Sequence, residues 1–261
     1  MVHPNVHLTI EDEIARIVLD RPDRMNACTR RMFESLATAA DEIASAKARV
    51  VVISGAGGNF CSGADMSGEG DETDDRQDHG LTSMRDIGDG VLAIHSLPMP
   101  VIAAVDGVAV GAGFGLALAS DLLYCSDRAR FSLIFARRGL SLDFGTSWLL
   151  PRRIGLHHAK RLAFTGDIVG AEEAAALGFV NEVVSADELD DRVAEVTAAI
   201  AVGPPLALSM TKRMLDNAAT ASFAAAVETE SLAQNVNFTT SDTLEAGKAF
   251  LERRTPRFEG R

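Results

Sequence analysis

Residues 107–121 read GVAVGAGFGLALASD. Gly107, Gly111, Gly113 and Gly115 fall within nine residues, and an apolar helical run follows them. Glycine is costly at a strand-to-helix turn unless the chain needs positive φ or a close approach to its backbone. No titratable side chain lies between Asp106 and Asp121. Whatever approaches this turn therefore meets backbone rather than a side chain.

Around this stretch the chain alternates. VVVIS (50–54), PVIAAVDG (100–107) and DLLYCSD (121–127) are short apolar runs bounded by turn residues, the pattern of buried parallel strands. HLTIEDEIARIVLDRP reads as two short strands around an acidic turn. From Arg30 to Lys47, Phe33, Leu36, Ala40 and Ile43 recur at helical spacing. Strand–helix alternation of this kind predicts an α/β fold. AEEAAALGF (171–179) predicts a short helix capped by Gly178. GPP (203–205) marks a boundary before two long helical segments, one containing TKRMLDNAA and the other running from SLAQNV to LERR.

The 261 residues carry a formal net charge of −12, which disfavours nucleic-acid or anionic-membrane partners because phosphate contacts need clustered Lys and Arg. Three scattered cysteines (Cys28, Cys61, Cys125) suit neither a disulfide framework nor a zinc site and read as buried free thiols in a reducing compartment. The N-terminal segment has no signal-peptide pattern, so a cytoplasmic protein is expected. Residues 68–80 (GEGDETDDRQDHG), with six acids and one arginine, read as a mobile surface loop. A dinucleotide fingerprint fails because Leu116 stands where GxGxxG needs its third glycine. P-loop and GxSxG patterns are absent.

NFCSGADM (59–66) and AVGAGFG (109–115) are two Gly-rich turns, each after a buried strand. Together they can aim two backbone N–H groups at one point, which is how an oxyanion hole forms without side chains. Taken singly, each is as well explained by a tight crossover.

The order of motifs is more specific. The chain runs RPDRMNAC, NFCSGADM, LPMPVIAAVDGVAVGAGFGLALASD, ARFSLIFARRGLSLDFGTSWLLPRRIG, GFVNEVV and GKAFLERRTPRF. Along essentially its whole length it resembles the crotonase family of enoyl-CoA hydratases and isomerases. The resemblance implies a spiral of ββα units over residues 1–200 and a C-terminal helical trimerisation region over 201–261. It further implies a homotrimer or dimer of trimers and an acyl-CoA thioester ligand. Coenzyme A enters as part of the substrate, with no separate cofactor and no metal.

By this resemblance the oxyanion-hole N–H groups belong to Ala64 and Ala112. The two glutamates of the family's hydratases fall on Gly115 and Phe135. The remaining acid is Asp143, in a segment similar to the PDxGxxWxLPR of some family isomerases, with Leu142 in place of the proline. The resemblance implies that Asp143 is a base moving a proton between C2 and C4 of a 3-enoyl-CoA. As a plain structural residue, Asp143 would instead cap the helix starting near Gly145. For substrate binding the resemblance points to Arg24 and Ala27 by the pantetheine and phosphates, and to Ser62, Asp65 and Met66 on the adenine side. Phe250 with Arg253 or Arg254 would close the site, and Phe135 and Trp148 would form pocket wall or core. The expectation is double-bond isomerisation. The alternatives are 2-enoyl-CoA hydration and non-catalytic acyl-CoA binding.

Overall fold

A computed structural model describes residues 2–67 and 79–261. The acidic segment at 68–80 lies outside the described residues except for its last two. Of these, His79 accepts a bond from the Leu81 N–H and Gly80 begins a helix.

The strands β1 (Val6–Glu11) and β2 (Ile14–Leu19) form the expected hairpin, with Asp12 and Glu13 at positive φ in its turn. They are followed by α1 (Arg30–Ser45), β3 (Val50–Gly55), α2 (Gly80–His95) and β4 (Val101–Val105). Next come β5 (Val108–Val110), α3 (Ala112–Ala119), β6 (Leu122–Ser126), β7 (Arg130–Ser132) and α4 (Thr146–Thr165). The remaining elements are β8 (Val169–Gly170), α5 (Ala171–Leu177), β9 (Glu182–Val184), α6 (Leu189–Ala201), α7 (Pro205–Ala218), α8 (Phe223–Asn237) and α9 (Ser241–Glu252).

One sheet has the order β1-β2-β3-β4-β6-β9, parallel from β2 onward, and a smaller sheet has β5-β7-β8. The apolar runs of β3 and β4 are continuous because both faces are covered. Val51, Ile53, Val101, Ala103 and Val105 enter the main core. Their alternates Val50, Val52, Ile102 and Ala104 pack with Leu189 and Val193 of α6 on the other face. Helices α1 and α2 approach closely at Gly90, where a Cβ would lie 2.3 Å from the Phe33 carbonyl oxygen.

The final helical run differs from the sequence reading. It is two helices, α8 and α9, because Thr240 ends one turn and caps the next. Its hydroxyl bonds the Asn237 carbonyl (2.7 Å) and accepts the Thr243 N–H (3.3 Å). Helix α7 is fastened to the sheet by Lys212, which pairs with Asp121 (2.8 Å) and donates to the Met99 carbonyl (3.2 Å). Among the described residues, no single helix is long and apolar enough to cross a membrane.

Candidate active site

The first Gly-rich turn is held against residues 21–28. Cys28 N–H donates to the Gly63 carbonyl (2.8 Å), and Asp65 N–H donates to the Cys28 carbonyl (2.9 Å). This is a parallel bridge centred on Ala64, so the N–H of Ala64 itself faces away from its partner strand. Gly63 has φ +98°, and a Cβ there would lie 2.8 Å from the Val110 carbonyl oxygen. The same hypothetical Cβ would be 3.7 Å from the Ala112 nitrogen, which shows how near the two turns run.

The second turn passes through Gly111 at φ 56° into α3. Every residue of α3 is buried, and its first backbone bond is Gly115 N–H to Gly111 carbonyl (3.0 Å). The Ala112 N–H precedes that bond and is one of the helix's unmatched donors, at the positive end of the helix dipole. No acceptor within the described chain takes the N–H of Ala64 or of Ala112.

Both alanines line a cavity of about 430 Å³ with Met25, Ala27, Ser62, Gly63, Asp65, Met66, Val108, Val110, Gly111, Ile134, Phe135, Arg138, Leu140 and Asp143. Among the described residues, Asp143 is the acid in this cavity left without a basic partner. Its Oδ1 is buried with no hydrogen-bond partner among the described residues, and burial pushes its pKa up to about 6. It is not a helix cap. Gly145 occupies the cap of α4 with no side-chain bond, and only the Asp143 backbone carbonyl serves Thr146, through its N–H (3.0 Å) and hydroxyl (2.8 Å). Two free N–H donors, an unpartnered carboxylate and apolar walls can together bind a carbonyl oxygen and move a proton beside it.

A larger cavity of about 700 Å³ lies between α2, α4 and α7, but it contains none of Ala64, Ala112 and Asp143. Convergence of unpaired groups, rather than size, identifies the site. Trp148 lines this second cavity with His95 and stacks under Arg152 (3.7 Å to the ring centroid). It is therefore not a wall of the candidate site. Phe250 and Arg253 lie at the end of α9 and also do not line the site of their own chain. Arg24 adjoins it through its carbonyl, which accepts the Ser62 hydroxyl (3.2 Å), while Met25 is the residue that faces the cavity.

Asp65 has a structural partner the motif reading missed. Arg21 donates to Asp65 (2.6 Å) and to the Ala27 carbonyl (3.0 Å). Burial opposes the charge of Asp65, but bonds from Ser67 and then Arg21 hold its pKa at about 2. Asn26, fully buried at φ 55°, completes the clamp by donating to the carbonyls of Ala56 (2.8 Å) and Asn59 (2.6 Å). An asparagine closing the RPDRMN turn, a residue type that tolerates positive φ, was the available signal. Arg138 and Leu140 were also missed. They reach the cavity from the 3-10 turn Ile134–Arg138 and the residues after it, which have no periodic signature.

A family model described as enoyl-CoA hydratase/isomerase matches residues 9–261. Among curated relatives, a protein named probable enoyl-CoA hydratase from Rhodobacter capsulatus is 36% identical with 100% of both chains covered. The 1,2-epoxyphenylacetyl-CoA isomerase of Escherichia coli is 32% identical with 97% of each covered. A crystal structure of a putative enoyl-CoA hydratase from Streptomyces coelicolor superposes with a TM-score of 0.92 at 36% identity, covering 100% of this chain and 97% of that one. Another, from Thermobifida fusca and in complex with CoA, superposes with a TM-score of 0.81 at 32% identity, covering 90% and 93%.

Proposed function

The chain belongs to the enoyl-CoA hydratase/isomerase family, and from that premise we propose that it shifts a double bond within an acyl-CoA, of the 3-enoyl to 2-enoyl type, with Asp143 as the proton carrier. The protein is an enzyme of this family, and acyl-CoA is its small-molecule partner.

In the proposed reaction, the thioester oxygen accepts the N–H groups of Ala64 and Ala112. Asp143 takes a proton from C2, and the electron pair moves into the carbonyl, giving a dienolate whose oxygen the two N–H groups stabilise. The same carboxyl returns its proton at C4, and the carbonyl re-forms with the double bond now at C2. One carboxylate suffices because the carboxyl that takes a proton from C2 can deliver one to C4, exchanging with solvent while the dienolate is held. A pKa of about 6 suits both halves of this exchange near neutral pH. The observation that carries the reading is the unpartnered, half-buried carboxylate of Asp143 in the same cavity as the two free N–H groups.

Hydration of a 2-enoyl-CoA is the second reading, favoured by the name of the Rhodobacter relative. Against it stand Gly115 and Phe135 at the two positions where the family's hydratases carry glutamate. The test is turnover of a 3-enoyl-CoA and a 2-enoyl-CoA in deuterated water, by the wild type and Asp143→Asn. A shifted double bond with deuterium at C2 or C4, lost in the variant, supports isomerisation. Formation of 3-hydroxyacyl-CoA that survives the substitution refutes it in favour of hydration. Binding of both substrates without turnover makes the protein an acyl-CoA binder.

The C-terminal helices, residues 201–261, are read here as the assembly region of a homotrimer or dimer of trimers. Phe223, Phe238, Phe250 and Leu251 are each more than two-thirds exposed in the single chain, an apolar surface that a second copy would cover. On this reading Phe250 and Arg253 serve a neighbouring subunit's site. Light scattering after size exclusion tests the assembly.

A further inference from the structure

We propose that Cys28 and Cys61 are a reversible oxidation site, forming an intrachain disulfide that draws the oxyanion loop out of position. Their Sγ atoms are 3.7 Å apart and both side chains are buried in the layer beneath Ala64. A disulfide needs about 2.05 Å between sulfurs, so the bond requires a contraction of about 1.7 Å from the observed 3.7 Å.

Cys61 touches both halves of the oxyanion hole, so this contraction has consequences there. Its Sγ accepts the Gly63 N–H (3.4 Å), which fixes the peptide immediately before the one that carries the Ala64 N–H. On its other side it packs against Gly113, next to Ala112. A Cβ on Gly113 would lie 2.2 Å from the Cys61 carbonyl oxygen and 2.8 Å from its Cβ. Cys28, for its part, is bonded through its backbone to Gly63 and Asp65 on either side of Ala64. Drawing the sulfurs together therefore pulls on the peptides that supply both N–H donors.

The oxidant is a peroxide. The Cys61 thiol attacks one peroxide oxygen, giving a sulfenic acid and releasing water. The Cys28 thiol then attacks that sulfur, the S–S bond forms and a second water leaves. Two thiols are oxidised by two electrons, one peroxide is reduced, and a dithiol reverses the change. The hydrogen bond from Cys28 draws the Cys61 thiol below its ordinary pKa against the opposing effect of burial, and the Gly63 N–H adds to this. Neither cysteine lines the cavity, but Ser62, Gly63 and Ala64, which follow Cys61 in the chain, do; on this proposal peroxide enters from that side and bound acyl-CoA shields the pair. Cys125, on β6, has no such partner, and burial pushes its thiol up to about 12.

The experiment treats the full chain with hydrogen peroxide, then denatures, alkylates and weighs it, and maps its peptides. Acyl-CoA affinity is measured before treatment, after it, and after dithiothreitol. The expected result is a species carrying two fewer alkyl groups than reduced protein, a Cys28–Cys61 cross-linked peptide, slower formation with acyl-CoA present, and affinity lowered about tenfold or more and restored by dithiothreitol. Cys28→Ser should abolish the cross-link and the reversible loss together. If that variant fails to fold, the wild-type peptide map and its reversal decide the matter. Oxygen addition to either cysteine without a cross-link overturns the proposal, as does a cross-link that leaves acyl-CoA affinity unchanged. Reduced protein that binds no acyl-CoA overturns the functional reading instead, and the peptide map still decides whether the disulfide forms.

Discussion

A Cβ on Gly115 would lie 2.7 Å from the Phe144 carbonyl oxygen and 3.0 Å from the Phe144 Cβ. Phe144 holds this position at φ 50°, buried against the Phe33 ring with centroids 4.8 Å apart. The segment carrying Asp143 thus passes over α3 at Gly115, the position on which the family resemblance places a hydratase glutamate. The space for that side chain is taken by the backbone that presents the aspartate.

Gly115→Glu should therefore fail to create hydratase activity. It should destabilise the protein by about 2 kcal/mol through overpacking and lower turnover in the proposed isomerisation by displacing Asp143. Urea unfolding and the two-substrate assay check both effects. A stable variant that hydrates 2-enoyl-CoA would refute the steric account.

If the chain carries out the proposed isomerisation, Asp143→Asn should lower its kcat/KM by about 10²–10⁴-fold, the range for loss of a positioned acid–base group. Acyl-CoA binding should be largely retained, since the Ala64 and Ala112 donors remain. Wild-type kcat/KM should rise with pH through an inflection near about 6, because the carboxylate must be ionised to accept the first proton.

The same carboxyl should leave a signature in stability. Its folded pKa of about 6 exceeds its ordinary 3.8, so the folded state binds the proton more tightly and loses stability as pH rises through that window. Above it the cost persists. Asp143→Asn should then be more stable than wild type at pH ~8 by on the order of 1 kcal/mol after solvent screening, with the difference fading toward pH ~4. Thermal melts across this range are the measurement, and a variant less stable at high pH contradicts it.

The Arg21–Asp65 pair should behave in the opposite sense. Asp65 is held at about 2, below its ordinary 3.8, so its contribution is present above about 4 and is lost as pH falls toward 2. Both partners are largely buried, at 13% and 8% side-chain exposure. Asp65→Asn should cost about 3 kcal/mol by leaving Arg21 buried without its counter-charge. It should also raise KM for acyl-CoA, because the loop bearing Ala64 loosens.

Lys212→Ala should loosen α7 from the sheet. Burial raises the Asp121 pKa even with Lys212 beside it, so removing the ammonium leaves a costly buried acid. A loss of about 3 kcal/mol is expected in denaturant unfolding, together with faster hydrogen exchange in α7.

Much of the architecture was open to reading in one dimension. The runs VVVIS and VIAAV are strands because alternate residues face two apolar layers, and that demand for unbroken hydrophobicity is visible in the residues themselves. The two glycine turns were visible for a related reason. Gly63 and Gly111 hold φ angles that other residues avoid, so the backbone requirement is written directly in residue type. The break between α8 and α9 was missed because threonine serves equally inside a helix or as its cap, and only the bonds of Thr240 distinguish the two.

The chemistry of the site was decided in three dimensions. Asp143 was present in the sequence both as a helix cap and as a base. Choosing between them depends on whether its oxygen meets an N–H or an apolar wall, which no local pattern encodes. Arg21, Asn26 and Asp65 form one clamp across 44 residues of chain, and Trp148 departs to another cavity although it lies five positions from Asp143. The elements and the backbone turns are legible residue by residue, because they follow from local sterics and periodic burial. Desolvation, the pairing of charges and the closing of Gly115 by Phe144 came only from packing distant segments together, because electrostatic environment and excluded volume are properties of neighbours in space.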